Sequence, residues 1–366
     1  MKKILLSVAL LATSIGFSQT LESDNFNSLT IGNVGTDFTG ATAGQGLFFT
    51  AASNGTAPTT STNSANTNFQ IVAAGNNGTQ GFQITSPNGD KGSRFMWKSG
   101  LEAVWATRTT GNNIIELEYE FFTGPITDSR TQVGMRLFGD ETVGTVVTSR
   151  TLVGYVYTTN TRVLQAVAYL KNGATNGTFL VNFSTTPLVL DANTWYKVGC
   201  SYNTSTGETT WKTSPTAQLA GLGVANWIPN MAPTEVDFLQ VVVGANATAV
   251  PPVPANVATS NIVFDNYVVR AVATSDLLGK EDFVLADKNV NSIYPNPATD
   301  VLNVKSNGSS SINTVQVVDL NGRQVMTKSF NNVSDAQINV NELSAGMYLI
   351  NITSGDTVET KKFLKQ

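Results

Sequence analysis

Between residues 68 and 272, apolar side chains recur every second position in short runs separated by Gly, Asn and Thr. The clearest runs are Ile114 to Phe122, Val133 to Phe138, Leu152 to Tyr157, Val163 to Leu170, Trp195 to Tyr202, Val236 to Val243 and Ile262 to Val272. Shorter ones fall at Asn68 to Val72, Thr178 to Phe183 and Thr209 to Thr213. A period of two puts successive side chains on opposite faces, which is the mark of a strand with one face buried. No segment there carries the 3.6-residue period of an amphipathic helix. This many strands at this spacing predicts an antiparallel β-sandwich over residues 19–275, an acceptable span for one domain.

Where the alternation stops, the chain changes role. Residues 51–66 hold no large apolar side chain and are expected to form a loop or disordered excursion. Val250-Pro251-Pro252-Val253-Pro254 reads as extended and strand-free. Residues 276–290 gather Asp276, Lys280, Glu281, Asp282, Asp287 and Lys288, a charge density that marks an exposed connector. Short strand patterns resume over residues 291–366. Tyr294-Pro295-Asn296-Pro297 resists helix, and Asn321-Gly322 sits between Val315 to Leu320 and Arg323 to Met326 as a hairpin turn. Leu343 to Gly346 then turns into Met347 to Ile352, and Val358 to Leu364 closes the chain. The fold class is therefore all-β: a large antiparallel sandwich followed by a small Ig-like one.

Residues 1–18 break the pattern differently. Lys2 and Lys3 precede an apolar run from Ile4 to Ala12, and small residues end the segment at Ser18. That is the layout of a Sec signal peptide, with Gln19 first after cleavage. No later stretch has 18 consecutive apolar residues, so no transmembrane helix is expected.

Composition narrows the chemistry. Charged residues are only 13%, net charge is −4, and no basic run follows Lys3, so nucleic acid is not an expected partner. There is no histidine, which rules out Ser-His-Asp and Cys-His catalysis and His-ligated zinc. The single Cys200 cannot form an intramolecular disulfide; flanked by strand residues and no cation, it reads as a packing residue.

Two groups of residues carry candidate activity. Glu116, Glu118 and Glu120 alternate with Leu117, Tyr119 and Phe121, so the carboxylates share one strand face. Trp97 and Trp105 flank a polar segment and could stack on sugar rings. Trp195 opens a strand and is expected in the core, while Trp211 and Trp227 stay open between packing and binding.

Three resemblances add to these readings. Asp191 to Val198, the hairpin from Asn203 to Trp211, and the closing strand Ile262 to Val269 resemble the concanavalin-A-like, laminin-G-like jelly roll. That resemblance implies a closing strand paired with an opening one near Glu22 to Phe26, and a structural calcium held by Glu22, Asp24 and Asp265. The Glu116-x-Glu118-x-Glu120 strand is similar to that of jelly-roll endo-β-glucanases, which have Asp at the middle position. The retaining mechanism there needs two carboxyls about 5 Å apart.

The block from Tyr294 looks like the type A sorting domain of type IX secretion cargo from Bacteroidota. The matching motifs are Tyr294-Pro295-Asn296-Pro297, Asp319 through Asn321, Gly322 and Arg323, Gly346 to Tyr348, and Lys361-Lys362 near the end. This implies the type IX secretion machinery as partner, and a secreted or outer-membrane-surface location after Sec export. For residues 19–275 three readings stay open: a module binding an extracellular polysaccharide, a glycoside hydrolase using Glu116 and Glu120, or an adhesin without a small-ligand site. The enzyme reading is not favoured.

Overall fold

A computed structural model describes residues 18–213, 219–279, 291–306, 311–319, 323–354 and 357–366. Nearly all of the expected leader, residues 280–290 of the connector, and the Asn321-Gly322 turn lie outside the described residues. The chain divides into two units, Met1–Val284 and Leu285–Gln366.

The first unit opens with β1 (Gln19–Asp24), β2 (Gly32–Asn33), β3 (Phe48–Ser53), β4 (Phe69–Val72), β5 (Gly81–Thr85) and β6 (Ser93–Lys98). A short helix, α1 (Leu101–Ala106), leads to β7 (Ile114–Phe122), β8 (Thr131–Val143), β9 (Val146–Thr158), β10 (Val163–Asn172) and β11 (Thr175–Val181). Then come β12 (Leu188–Val189), β13 (Trp195–Asn203), β14 (Thr209–Thr213), β15 (Leu219–Gly221), β16 (Ala232–Val242) and β17 (Asn261–Val272).

Two antiparallel sheets result, forming the sandwich that the alternation predicts, with the jelly-roll arrangement that the resemblance implies. The nine-stranded sheet runs β15-β14-β13-β7-β17-β5-β4-β2, with β1 also paired to β17. The eight-stranded sheet runs β11-β10-β9-β8-β16-β6-β3, with β12 on β10. The opening strand does pair with the closing one, Asp24 opposite Tyr267 and Glu22 opposite Val269.

The inner faces meet through aromatic rings. Phe238 of β16 lies 5.2 Å from Phe82, 5.2 Å from Phe264 and 5.1 Å from Tyr267 of the opposing sheet, all edge-on. Edge-to-face contact sets the positive ring rim against the negative face, so these rings contribute beyond the area they bury. Leu117, Tyr119 and Phe121 face this core, as their alternation requires, and Cys200 is buried beside them.

Three local expectations change. Ala51, Ala52 and Ser53 belong to β3; the rest of residues 54–65 is strand-free but tied down, with Ser61 buried and donating to Asn54. Short side chains hid the strand, because pairing with β6 rather than side-chain bulk defines it. Trp195 pairs across to Phe122 on the outer face, and the wholly buried indole is instead that of Trp211, which donates to the Gly154 carbonyl at 2.9 Å. Past β17 the chain stays on the sandwich through Gly279, with Leu277 buried.

The second unit contains β18 (Asn291–Tyr294), β19 (Val301–Ser306), β20 (Ile312–Asp319), β21 (Gln324–Val333), β22 (Asp335–Asn339), β23 (Gly346–Ser354) and β24 (Thr357–Lys365). They form one sheet of order β18-β19-β22 and another of order β21-β20-β23-β24 around Leu302, Val315, Ile338, Ile350 and Phe363. The strands on either side of the expected Asn321-Gly322 turn pair antiparallel.

Candidate functional site

The three glutamates of β7 do share one face, opposite Leu117, Tyr119 and Phe121, and that face is covered. Glu116 and Glu118 are 1% and 0% exposed. Arg270, on the neighbouring β17, sits between them: its Nη1 is 3.6 Å from Glu116 and 3.5 Å from Glu118. Lys197 adds a contact to Glu118 at 3.5 Å.

The strap after β17 closes over them. The Asp276 amide donates to Glu116 at 3.0 Å and the Leu278 amide to Glu118 at 2.7 Å. Gly199 of β13 admits this strap, because a Cβ there would come within 3.2 Å of Leu278 and 3.1 Å of Glu118. Burial pushes the Glu116 pKa up, against its hydrogen bonds from Ser275 and Asp276 and the charge of Arg270. Glu120 stands apart, half-buried, accepting the side-chain amides of Asn76 and Asn266 at 2.9 and 2.8 Å. A hollow of about 450 Å³ flanks the strap, lined by Ile114 and Leu277 as well as Glu208, Lys212 and Asp276, with no aromatic ring.

The residues expected to hold calcium do not converge. Asp24 pairs with Lys98 at 2.8 Å, so an ammonium already fills the cation's place. Glu22 accepts from the Tyr267 hydroxyl at 2.8 Å, and burial lifts its carboxyl to about 7. Asp265 pairs in register with Glu120 on the other face of the sheet and accepts from the Asn76 amide and Thr79 hydroxyl. Among the described residues no three His, Cys, Asp or Glu side chains are arranged to hold a metal.

The two candidate tryptophans part company. Trp105 is 4% exposed, packs in the core from α1, and lies under the Arg108 guanidinium at 4.1 Å. Trp97 is half-exposed on β6 and stacks on Phe49 of β3 at 5.7 Å and 19°. Its indole edge is steadied by Gly40, where a Cβ would stand 2.9 Å from the ring. That loop is held by the Asp37 carboxylate, which accepts the Thr39, Ala41 and Thr42 amides.

Register then places Trp97 in a row that crosses the outer face of the eight-stranded sheet. Phe49 pairs with Trp97, Trp97 with Asp237, Asp237 with Arg136, Arg136 with Gly154, and Gly154 with Val167. Because Val236 and Phe238 point into the core, Asp237 and Glu235 project outward on the same side of β16. Gly154 leaves room for Arg136, whose Cα and Cγ would lie 2.9 Å from a Cβ there. Leu239, Val156 and Val167 are buried but lie outside the core cluster.

Asp237 is 7% exposed, and its Oδ1 accepts from no N–H or hydroxyl; Nε of Arg136 is buried without a partner. Burial raises the Asp237 pKa, and the Glu235 carboxyl, hydrogen-bonded to it, raises it further. Burial raises Glu235 as well. Two carboxyls in contact hold one proton between them, since both cannot ionise at that separation. The sequence pattern drew no attention to Arg136, Asp237 or Glu235. A Glu-Val-Asp step in β16 was the available signal, and only register gives it meaning.

In the second unit the end motifs meet. Asn296 donates to the Lys362 carbonyl at 3.1 Å and accepts the Leu364 amide at 2.9 Å, which joins the Tyr294-Pro295-Asn296-Pro297 segment to β24. Asp319 accepts the Arg323 amide at 2.9 Å and pairs with its guanidinium at 3.1 Å. Tyr348, just after Gly346 opens β23, stacks on Phe363 at 5.7 Å. Lys361 and Lys362 lie on β24 opposite Ile350 and Leu349.

Residues 292–366 match the family of secretion system C-terminal sorting domains. The chain thus carries a type IX secretion sorting domain at its C-terminus, and this domain implies delivery to the cell surface or beyond. No curated protein matches the chain. Its fold is similar to that of alginate lyase vAL-1 from Chlorella virus, at 12% identity over 66% of this chain and 99% of that one, with a TM-score of 0.39. It is also similar to endo-beta-1,4-glucuronan lyase from the fungus Trichoderma reesei, at 8% identity over 66% and 94% of the two chains, with a TM-score of 0.40. Alginate lyase Aly36B, in a mutant complex with alginate tetrasaccharide, gives 15% identity over 71% and 98%, with a TM-score of 0.40. At such identities and scores these likenesses bear on neither activity nor substrate. No helix among the described residues is long and apolar enough to cross a membrane.

Proposed function

We propose that the sandwich domain binds an extracellular polysaccharide along the outer face of its eight-stranded sheet. The observation that carries this reading is the row from Phe49 through Trp97 to Asp237 and Arg136. A half-buried indole beside polar groups suits a sugar ring, whose C–H face stacks while its hydroxyls hydrogen-bond. Export fits the same reading: a Sec leader over residues 1–18, then passage through the type IX machinery under direction of the sorting domain.

Glu116 and Glu118 we assign to the fold rather than to hydrolysis. Buried carboxylates that accept backbone amides and face an arginine are holding a sheet and a strap together, and nothing exposes them to a substrate. A glycan array probed with the full secreted chain tests the proposal. Binding that Trp97→Ala abolishes, without release of reducing sugar, is the expected result. Sugar release that Glu116→Gln eliminates would restore the hydrolase, and a blank array would leave the adhesin.

A further inference from the structure

We propose that Asp237, Glu235 and Arg136 form the polar subsite of this face, and that it takes adjacent hydroxyls of an uncharged sugar and rejects a uronate. The inference rests on the glycan-binding reading and goes on to name the class of sugar.

The first ground is incomplete hydrogen bonding. Arg136 Nε is buried without a partner, and Asp237 Oδ1 has none beyond the neighbouring Glu235 carboxyl, in cross-strand neighbours at the centre of the face. A buried polar group left short of partners is costly, so under-bonded groups on neighbouring strands call for a partner from outside the chain. Glu235 and Arg136, the half-exposed members, give a sugar its approach to them.

The second ground is complementarity. A carboxyl pair holding a single proton offers both an O–H donor and carboxylate acceptors, while the guanidinium offers donors only. Adjacent hydroxyls each donate and accept, so one can give to the carboxyl pair while its neighbour accepts from Arg136. The stacked Phe49–Trp97 pair lies in the same row as Asp237 and can hold the ring that presents them.

The third ground is charge. The groups acting on Asp237 are the carboxyls of Glu235 and Glu22 against the single cation of Arg136. Glu22 in turn faces Asp24 and Glu235, with Lys98 already committed to Asp24. The one negative charge of the proton-sharing pair already balances the Arg136 cation, so a sugar carboxylate would find no free positive charge there to offset its desolvation.

The test is affinity electrophoresis of the full chain through gels containing laminarin, xyloglucan or galactomannan, against alginate and polygalacturonate, with near-ultraviolet circular dichroism to confirm folding. Wild-type protein should be retarded by at least one neutral polymer and by neither uronate. Asp237→Asn, which keeps the shape and removes the shared-proton acid, should weaken retardation at least tenfold, and so should Arg136→Gln. If the neutral polymer is bound and Trp97→Ala abolishes it, but both polar variants stay within twofold of wild type, the subsite is overturned and the platform stands. Tighter retention by alginate or polygalacturonate overturns the subsite as well. Retention by none of the five refutes the glycan reading and the subsite together.

Discussion

Each sheet of the sandwich places an arginine across the ladder from one of two same-face carboxyls, and the two sheets treat that motif in opposite ways. On the nine-stranded sheet, Arg270 lies between Glu116 and Glu118, the strap donates two amides, and the site is shut. On the eight-stranded sheet, Arg136 lies across the ladder from Asp237, which bonds Glu235; Arg136 Nε is buried without a partner, and an aromatic platform stands in the same row. The same residue types hold structure where the strap covers them, and on the proposed reading they serve binding where no strap does.

The sharpest way to break this contrast is to remove each arginine. Arg270→Met leaves two buried carboxyls facing no guanidinium and is expected to cost about 3–5 kcal/mol in urea unfolding at neutral pH. Arg136→Gln should cost under about 1.5 kcal/mol, because Asp237 can retain its proton and the site is half-open. Equal losses would mean that both arginines are structural. Strap packing comes next: Leu277→Ala should cost about 2–3 kcal/mol as a buried side chain is truncated. Gly199→Val should displace the strap through contact with Leu278 and cost about 1–3 kcal/mol.

A pH series sharpens the comparison further. Glu22 titrates near 7 against an ordinary 4.5, chiefly through burial, and Asp265 near 6 against 3.8 for the same reason. A carboxyl with a raised folded-state pKa holds its proton more tightly folded than unfolded. The stability it contributes is therefore present in acid and lost as pH rises from about 4 through about 7. The melting temperature of the sandwich should fall by on the order of 5 °C between pH 5 and pH 8. A melting temperature that rises over that range would show these carboxyls to be stabilised as anions.

The fold was largely legible because alternation is a local property. Leu117, Tyr119 and Phe121 declare a core face whatever they pair with, and β7 spans the very residues the pattern marks. β3 was not legible, since Ala51-Ala52-Ser53 gains its identity only from β6 across the ladder. The same limit governs the site. The Glu116-x-Glu118-x-Glu120 run stands out in one dimension, yet what buries its first two carboxyls is a strap some 160 residues away in sequence. Trp97, Arg136 and Asp237 are far apart in the chain, and register alone puts them in one row. Trp97 could be suspected as an aromatic near polar residues; its partner Phe49 and its neighbour Asp237 could not.

The central claim is that the ligand face belongs to the eight-stranded sheet. It is tested most directly by titrating one polysaccharide retained by the wild-type chain against Trp97→Ala and Trp195→Ala, outward-facing indoles on opposite sheets. The account predicts at least a tenfold loss of affinity, about 1.4 kcal/mol, for Trp97→Ala and none for Trp195→Ala. Loss at Trp195 with Trp97→Ala unchanged would move the ligand to the nine-stranded sheet and contradict it.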